Sequence, residues 1–277
     1  MSAAAARSVA AAAPLLAVSG LRKAFGGVKA VDDVSFEVAP GELLALIGPN
    51  GAGKTTCFNC INGQLRPDAG RVLLDGSDLV GRSPRAIWRS GVGRTFQIAA
   101  TWASMTVVEN VQVALLSHAG GLWRWWGRAA AQRRDEALAL LDAVGLASAA
   151  DEPCGALAYG DVKRVELALA LSNAPRLLLM DEPTAGMAPR ERNELVSLVK
   201  RLVRERGIGV LFTEHSMDVV FAHADRIIVL ARGRLIAEGG PADIRDHPQV
   251  REVYFGGTQV PHAPPGGQRS APREAAS

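Results

Sequence analysis

Apolar positions along the chain fall into two kinds of pattern, short unbroken runs and spaced helical stripes. LLALI (Leu43–Ile47), RLLLM (Arg176–Met180) and GVLFT (Gly209–Thr213) are short continuous runs. Runs of this kind predict strands buried on both faces, as in a parallel sheet. Leu15–Val18 and Val34–Val38 read as further short strands, with LRKAFGGVKAV as the connection between them. RVLLDG (Arg71–Gly76) predicts a strand and turn, and RIIVL and RLIAEG flank the turn Arg232-Gly233.

Helical spacing takes over elsewhere. It predicts a helix over Thr56–Asn62 stopped by Gly63, and a short one opened by Ser83-Pro84. Thr106 and Glu109 have capping-box spacing and open a helix to about Leu116. Further helices are expected from about Ala131 to Val144, from near Gly160, over Glu191–Arg206, and from Ser216. No strand pattern survives between about Phe96 and Ala158, so residues 96–158 read as a helical insertion. Around it, strands alternate with helices, which indicates an α/β parallel sheet covered on both faces.

Composition changes this picture little. Apolar residues make up 48% of the 277 and charged residues 21%, the balance of an ordinary globular protein. A net charge of +3, evenly spread, is no argument for a nucleic-acid partner. No apolar stretch reaches the ~20 residues that span a bilayer. The alanine-rich start has Arg7 as its only positive residue, so residues 1–14 read as a disordered leader rather than a signal peptide. Residues 257–277, rich in glycine, proline and alanine, read as a disordered tail. Cys57 and Cys60 form C-x-x-C with no second pair at metal spacing, and read, with Cys154, as packed thiols.

The chemistry starts at GPNGAGKTT, Gly48 to Thr56, between a predicted strand and a predicted helix. It fits the phosphate-binding pattern G-x-x-x-x-G-K-[ST]. Backbone N–H groups from about Asn50 to Thr56, through Gly51, Ala52 and Gly53, can converge on phosphate oxygens at a helix N-terminus. Lys54 is placed to neutralise the β- and γ-phosphates and Thr55 to hold Mg²⁺. A nucleoside triphosphate is the implied ligand. Asp181 and Glu182 then stand at the exposed end of a buried strand, the first suited to a metal and the second to activating water.

Three later elements complete an order. RTFQ ends in Gln97, LAYGD spans Leu157 to Asp161, and FTEH ends in His215. With the phosphate loop and the acidic strand end, this order resembles the ABC ATPases, over about residues 15–256. The resemblance implies a P-loop NTPase (RecA-like) parallel-sheet core, an antiparallel β subdomain and a helical insertion. It implies ATP and Mg²⁺ as cofactors, and adenine stacked on Phe25. Gln97 would reach the metal or the attacking water, and His215 the γ-phosphate. Leu157, Ala158, Tyr159, Gly160 and Asp161 would face ATP bound on a second cassette in a head-to-tail pair.

This chain departs from the usual family pattern in three places. Ala158 lacks the usual signature hydroxyl, Asp161 stands where glutamine is common, and Ala188 replaces an expected Asp or Asn. LAYGDVKRVELALAL, EPTAGM, EHSMDVVF and VREVYFGG are similar to the ATPase subunit of bacterial branched-chain amino acid importers. That resemblance implies two permease subunits, a second and different ATPase subunit, and a periplasmic binding protein reached through them. It implies the cytoplasmic face of the inner membrane as the location. Lipid or lipopolysaccharide export, and a soluble ABC protein acting on nucleic acid or ribosomes, are the alternatives. A G-protein lacks support, as there is no N-K-x-D motif. The stretch Gly120 to Arg134, with Trp123, Trp125 and Trp126, suits either a permease contact or a cover for the insertion's own helices.

Overall fold

The computed structural model describes residues 13–95, 101–118 and 133–255. Gln97, both chain ends and the three tryptophans of residues 120–134 lie outside them. Two sheets and a set of helices make three layers. The central sheet is six-stranded, in the order β10-β9-β3-β8-β7-β6. Its members are β3 (Leu43–Ile47), β6 (Val92–Thr95), β7 (Leu177–Asp181), β8 (Gly209–Thr213), β9 (Arg226–Ala231) and β10 (Arg234–Gly239). All neighbours are parallel except β9 and β10, which form the hairpin expected around Arg232-Gly233.

Every residue of β3, β7 and β8 is buried, because both faces of the sheet are covered. The period-two alternation of a strand divides these side chains between two cores. Leu43, Ala45 and Ile47 point to one, together with Leu178, Met180 and Phe212. Leu44, Leu46, Leu177, Leu179 and Leu211 point to the other.

On the first face lie α5 (Tyr159–Leu171), α6 (Pro189–Arg206) and α7 (Met217–His223). The 18-residue α6 shows how spacing drives this. Leu195, Val196, Leu198, Val199, Leu202 and Val203 form a single buried stripe, while its glutamates and its arginines other than Arg192 face water. Each such side chain contributes about 1.5–3 kcal/mol by burial, which outweighs the helix's highly charged remainder. Gly207, at φ +67°, ends it in the left-handed conformation that glycine adopts without a Cβ penalty. The helices α3 (Val107–His118) and α4 (Arg134–Ala143) join the same core through Val107, Val111, Ala137 and Leu141. Thr106 and Glu109 cap α3 reciprocally. The Glu109 N–H donates to Thr106 Oγ1 at 3.3 Å and the Thr106 N–H to Glu109 Oε2 at 2.8 Å.

The second face carries α1 (Lys54–Ile61) and a four-stranded antiparallel sheet, ordered β2-β1-β4-β5. Its strands are β1 (Leu16–Phe25), β2 (Val28–Val38), β4 (Ala69–Leu74) and β5 (Ser77–Asp78). Val18, Leu21, Phe36 and Val72 meet Cys57, Phe58 and Ile61 of α1 in the second core. Cys57 and Cys60 are buried free thiols, and burial holds Cys60 up at about 11, so neither is a ready nucleophile.

Four expectations need correction. The connection LRKAFGGVKAV is itself strand, because β1 and β2 run on to a turn at Gly26-Gly27. Its alternation is obscured by register shifts at Leu21 and Ala24 and by charges that pair across the strands, such as Arg22 with Asp33 at 3.2 Å. The phosphate-loop helix begins at Lys54 rather than Thr56. Strand β6 was not expected; it is short and contains Gly93 and Arg94. Beyond α2 (Pro84–Arg89), which was expected, the described residues also form α8 (Pro241–Asp246) and α9 (Pro248–Phe255), which were not. Proline at the first helical position marks both.

Candidate functional site

The site lies at the C-terminal ends of the parallel strands β3, β7 and β8, where open α/β sheets place their ligands. From Ile47 the chain enters the phosphate loop. Gly51 and Gly53 take φ +78° and +105°, so the backbone can bend there without a side chain in the way. Space demands glycine as well. A Cβ on Gly53 would stand 2.2 Å from the Ala30 carbonyl oxygen, and one on Gly48 2.3 Å from that of Leu230. The loop is therefore clamped between β2 and β9. Ala52 closes a turn onto the Pro49 carbonyl at 3.1 Å and accepts from the Gly233 N–H at 3.0 Å.

Lys54 is buried at the start of α1, and its Nζ donates to Gly48 O at 2.7 Å and Pro49 O at 3.1 Å. Burial lowers its pKa, while the nearby carboxylates of Glu182 and Asp181 oppose that shift. Asn50, Gly51 and Thr55 are exposed and Thr56 half-buried, at the helix N-terminus.

Asp181 is the last residue of β7 and is 3% exposed. Its Oδ1 accepts from Thr213 Oγ1 at 2.7 Å, and Arg94 Nη2 lies 3.7 Å from Oδ2. The next residue, Glu182, has φ +50°, an unusual conformation for glutamate that costs of order 1 kcal/mol or more. Its N–H is held by Thr213, through the carbonyl at 3.2 Å and the hydroxyl at 3.1 Å. The carboxylate thus turns outward to His215, with Oε1 2.8 Å from Nε2. A hydrogen bond between a carboxylate and a half-exposed imidazole fixes the direction in which the carboxylate points.

Sequence reasoning missed the residues that hold this pair. Glu214 is 3% exposed and accepts from the Thr184 N–H at 2.9 Å, Thr184 Oγ1 at 2.6 Å and the His215 N–H at 3.2 Å. It ties the loop after β7 to the loop after β8. The one available signal was a charged residue directly after a wholly buried strand.

Thr55 and Asp181 are hard oxygen donors. Magnesium on a nucleotide takes only one or two such protein ligands, with phosphates and water completing its shell. These residues fit that ion.

The other expected site residues lie apart from this group. Phe25 is half exposed at the tip of the β1–β2 hairpin, with Lys23 Nζ 5.5 Å from its ring centre. The same hairpin packs Ala30 against Gly53, which brings it beside the phosphate loop. Leu157 to Asp161 open α5, with Ala158 as an N-cap that offers no side-chain hydrogen bond. They face the loop that follows Glu182. The Tyr159 hydroxyl donates to the Ala185 carbonyl at 3.1 Å, and Gly160 sits against Met187 and Glu191. Ala188 caps α6 by half a capping box. Its N–H donates to Glu191 Oε2 at 3.2 Å, but alanine has no oxygen to return.

Known proteins are similar to this chain in sequence and in fold. Residues 31–185 match the family described as ABC transporter, and residues 234–259 that described as branched-chain amino acid ATP-binding cassette transporter. The chain is 40% identical over 250 residues to the high-affinity branched-chain amino acid transport ATP-binding protein BraF of Pseudomonas aeruginosa. The match covers 88% of this chain and 98% of that one, and the LivG protein of Escherichia coli K12 gives the same figures. A crystal structure of an ATP-binding cassette of an ABC transporter in its ADP conformation superposes with a TM-score of 0.80 at 32% identity. It covers 88% of this chain and all of that one. The phosphate loop, the paired acids at the end of β7 and the histidine after β8 thus sit in a cassette of known type: the chain belongs to the ABC transporter family, as one of its ATP-binding ATPases.

Proposed function

We propose that this chain hydrolyses ATP to drive permease-mediated uptake of branched-chain amino acids or related solutes. The observation that carries the hydrolytic half is the meeting of Lys54, Asp181, Glu182 and His215 at one end of the parallel sheet. The substrate half is supported by the kinship with BraF and LivG and by the match over residues 234–259.

In this reading residues 15–256 form the cassette, with 96–158 as its helical subdomain. Glu182 takes the proton from the attacking water, and His215 keeps the carboxylate aimed while reaching the γ-phosphate. Lys54 and the loop amides counter the charge that builds on the phosphates. Phe25 offers its exposed face to adenine. Thr55 and Asp181, with Gln97, would hold Mg²⁺, which would spread the negative charge of the phosphates. Leu157 to Asp161 face the ATP of a second, different cassette, and binding of two ATP molecules closes the pair.

No helix among the described residues is long and apolar enough to cross a membrane. In this reading the cassette reaches the cytoplasmic face of the inner membrane through two permease subunits, with a periplasmic binding protein delivering solute to them. Gentle purification of the tagged chain from membranes, followed by mass spectrometry, tests the partnership. The expected companions are two permeases and a second cassette. Recovery with only ribosomal or DNA-bound proteins would overturn the transport reading.

A further inference from the structure

Asp181 poses an electrostatic problem that the fold has to solve. A carboxylate with a side chain only 4% exposed is costly unless a cation stands beside it. The neighbouring guanidinium belongs to Arg94 in β6, whose Nη2 lies 3.7 Å from Asp181 Oδ2. Arg94 is itself largely buried and held from the opposite side. Its Nη1 donates to Asn59 Oδ1 of α1 at 3.1 Å and to Gln64 Oε1 at 2.9 Å. One arginine thus joins the phosphate-loop helix, the strand that leads to Gln97, and the carboxylate read above as the metal ligand.

We infer that Arg94 is the resident counter-ion of Asp181, a positioning residue that holds the buried carboxylate in place and discourages a metal ion from arriving without nucleotide. The inference rests on the reading of Asp181 as a magnesium ligand. Lys54 also feels this carboxylate, together with that of Glu182. Lys54 is committed to the loop carbonyls of Gly48 and Pro49, so it is a poor substitute for Arg94. A divalent ion on Asp181 would stand close to the guanidinium, and two cations at such separation repel strongly in a poorly solvated site. Only the added negative charge of the phosphates tips the balance, so metal and nucleotide load together.

The test is thermal unfolding of the full-length, nucleotide-free chain in millimolar MgCl₂ and in NaCl of matched ionic strength. The wild type should melt at the same temperature in both. Arg94→Met should melt several degrees lower in NaCl and recover most of that loss in MgCl₂, because the ion replaces the missing cation. Arg94→Lys, which keeps the charge, should show little Mg²⁺ response. Arg94→Gln serves with the same expectation where Arg94→Met yields no soluble protein. A loss of stability equal in both salts would overturn the inference and leave Arg94 a merely structural residue. So would a Mg²⁺ response that persists when Asp181→Asn is added to Arg94→Met. Failure of the underlying reading has a different signature, since Asp181→Asn alone would then keep wild-type turnover of Mg²⁺-ATP.

Discussion

Glu182→Gln is expected to bind ATP as the wild type does and to lose turnover by about 10²- to 10⁴-fold, the range set by removing a positioned general base. The amide has the size of the carboxylate, so the backbone at φ +50° and its Thr213 hydrogen bonds are kept. What disappears is the ability to accept a proton from water. Binding and chemistry separate cleanly here because Glu182 lies at the end of β7, while the phosphate-binding backbone belongs to the loop after β3. Steady-state phosphate release, beside affinity measured with a fluorescent ATP analogue, checks both halves. His215→Ala should lower turnover less, since it removes the group that orients the base and leaves the base itself. Wild-type hydrolysis by Glu182→Gln would remove Glu182 from the chemistry.

Lys54→Met is expected to act on the other half and weaken ATP binding by about 100-fold, equivalent to about 2.7 kcal/mol. A charge-assisted hydrogen bond contributes about 1.5–3 kcal/mol, and the lysine has more than one phosphate oxygen within its role. The methionine keeps the buried stem packed but takes the lysine donor from Gly48 O, while Pro49 O keeps the Ala52 N–H. A fall in melting temperature of a few degrees should accompany the loss of affinity, since one unmet buried acceptor costs about 1–3 kcal/mol. Lys54→Arg should not rescue, because a planar fork cannot occupy the space of a compact ammonium between two carbonyls. Unchanged nucleotide affinity in Lys54→Met would contradict this assignment.

Much of this arrangement was readable before the structure, for physical reasons that apply residue by residue. Strands β3, β7 and β8 are buried on both faces, so burial itself forces the unbroken apolar runs that betray them. The phosphate loop is legible because no other residue type fits Gly48 or Gly53 beneath Leu230 and Ala30. Strand β6 was hidden since half its residues are Gly93 and Arg94, chosen for contacts rather than for strand propensity. A Cβ on Gly93 would press 2.6 Å from the Ala170 carbonyl oxygen, a demand made by a helix distant in sequence. The hairpin β1–β2 was shortened in the reading because bulges interrupt its alternation. The links that position the acids, Glu214 to Thr184 and Arg94 to Asp181, join residues 30 or more apart in the chain, and no local pattern records such a pairing.

The most direct test of the central claim is uptake of labelled leucine, isoleucine and valine by cells whose own copy of this gene is deleted. Restoring the wild-type chain should restore uptake, and restoring Glu182→Gln should leave it at the level of the deletion despite normal assembly with the permeases. Uptake that is indifferent to the deletion, or that Glu182→Gln restores in full, would contradict the account.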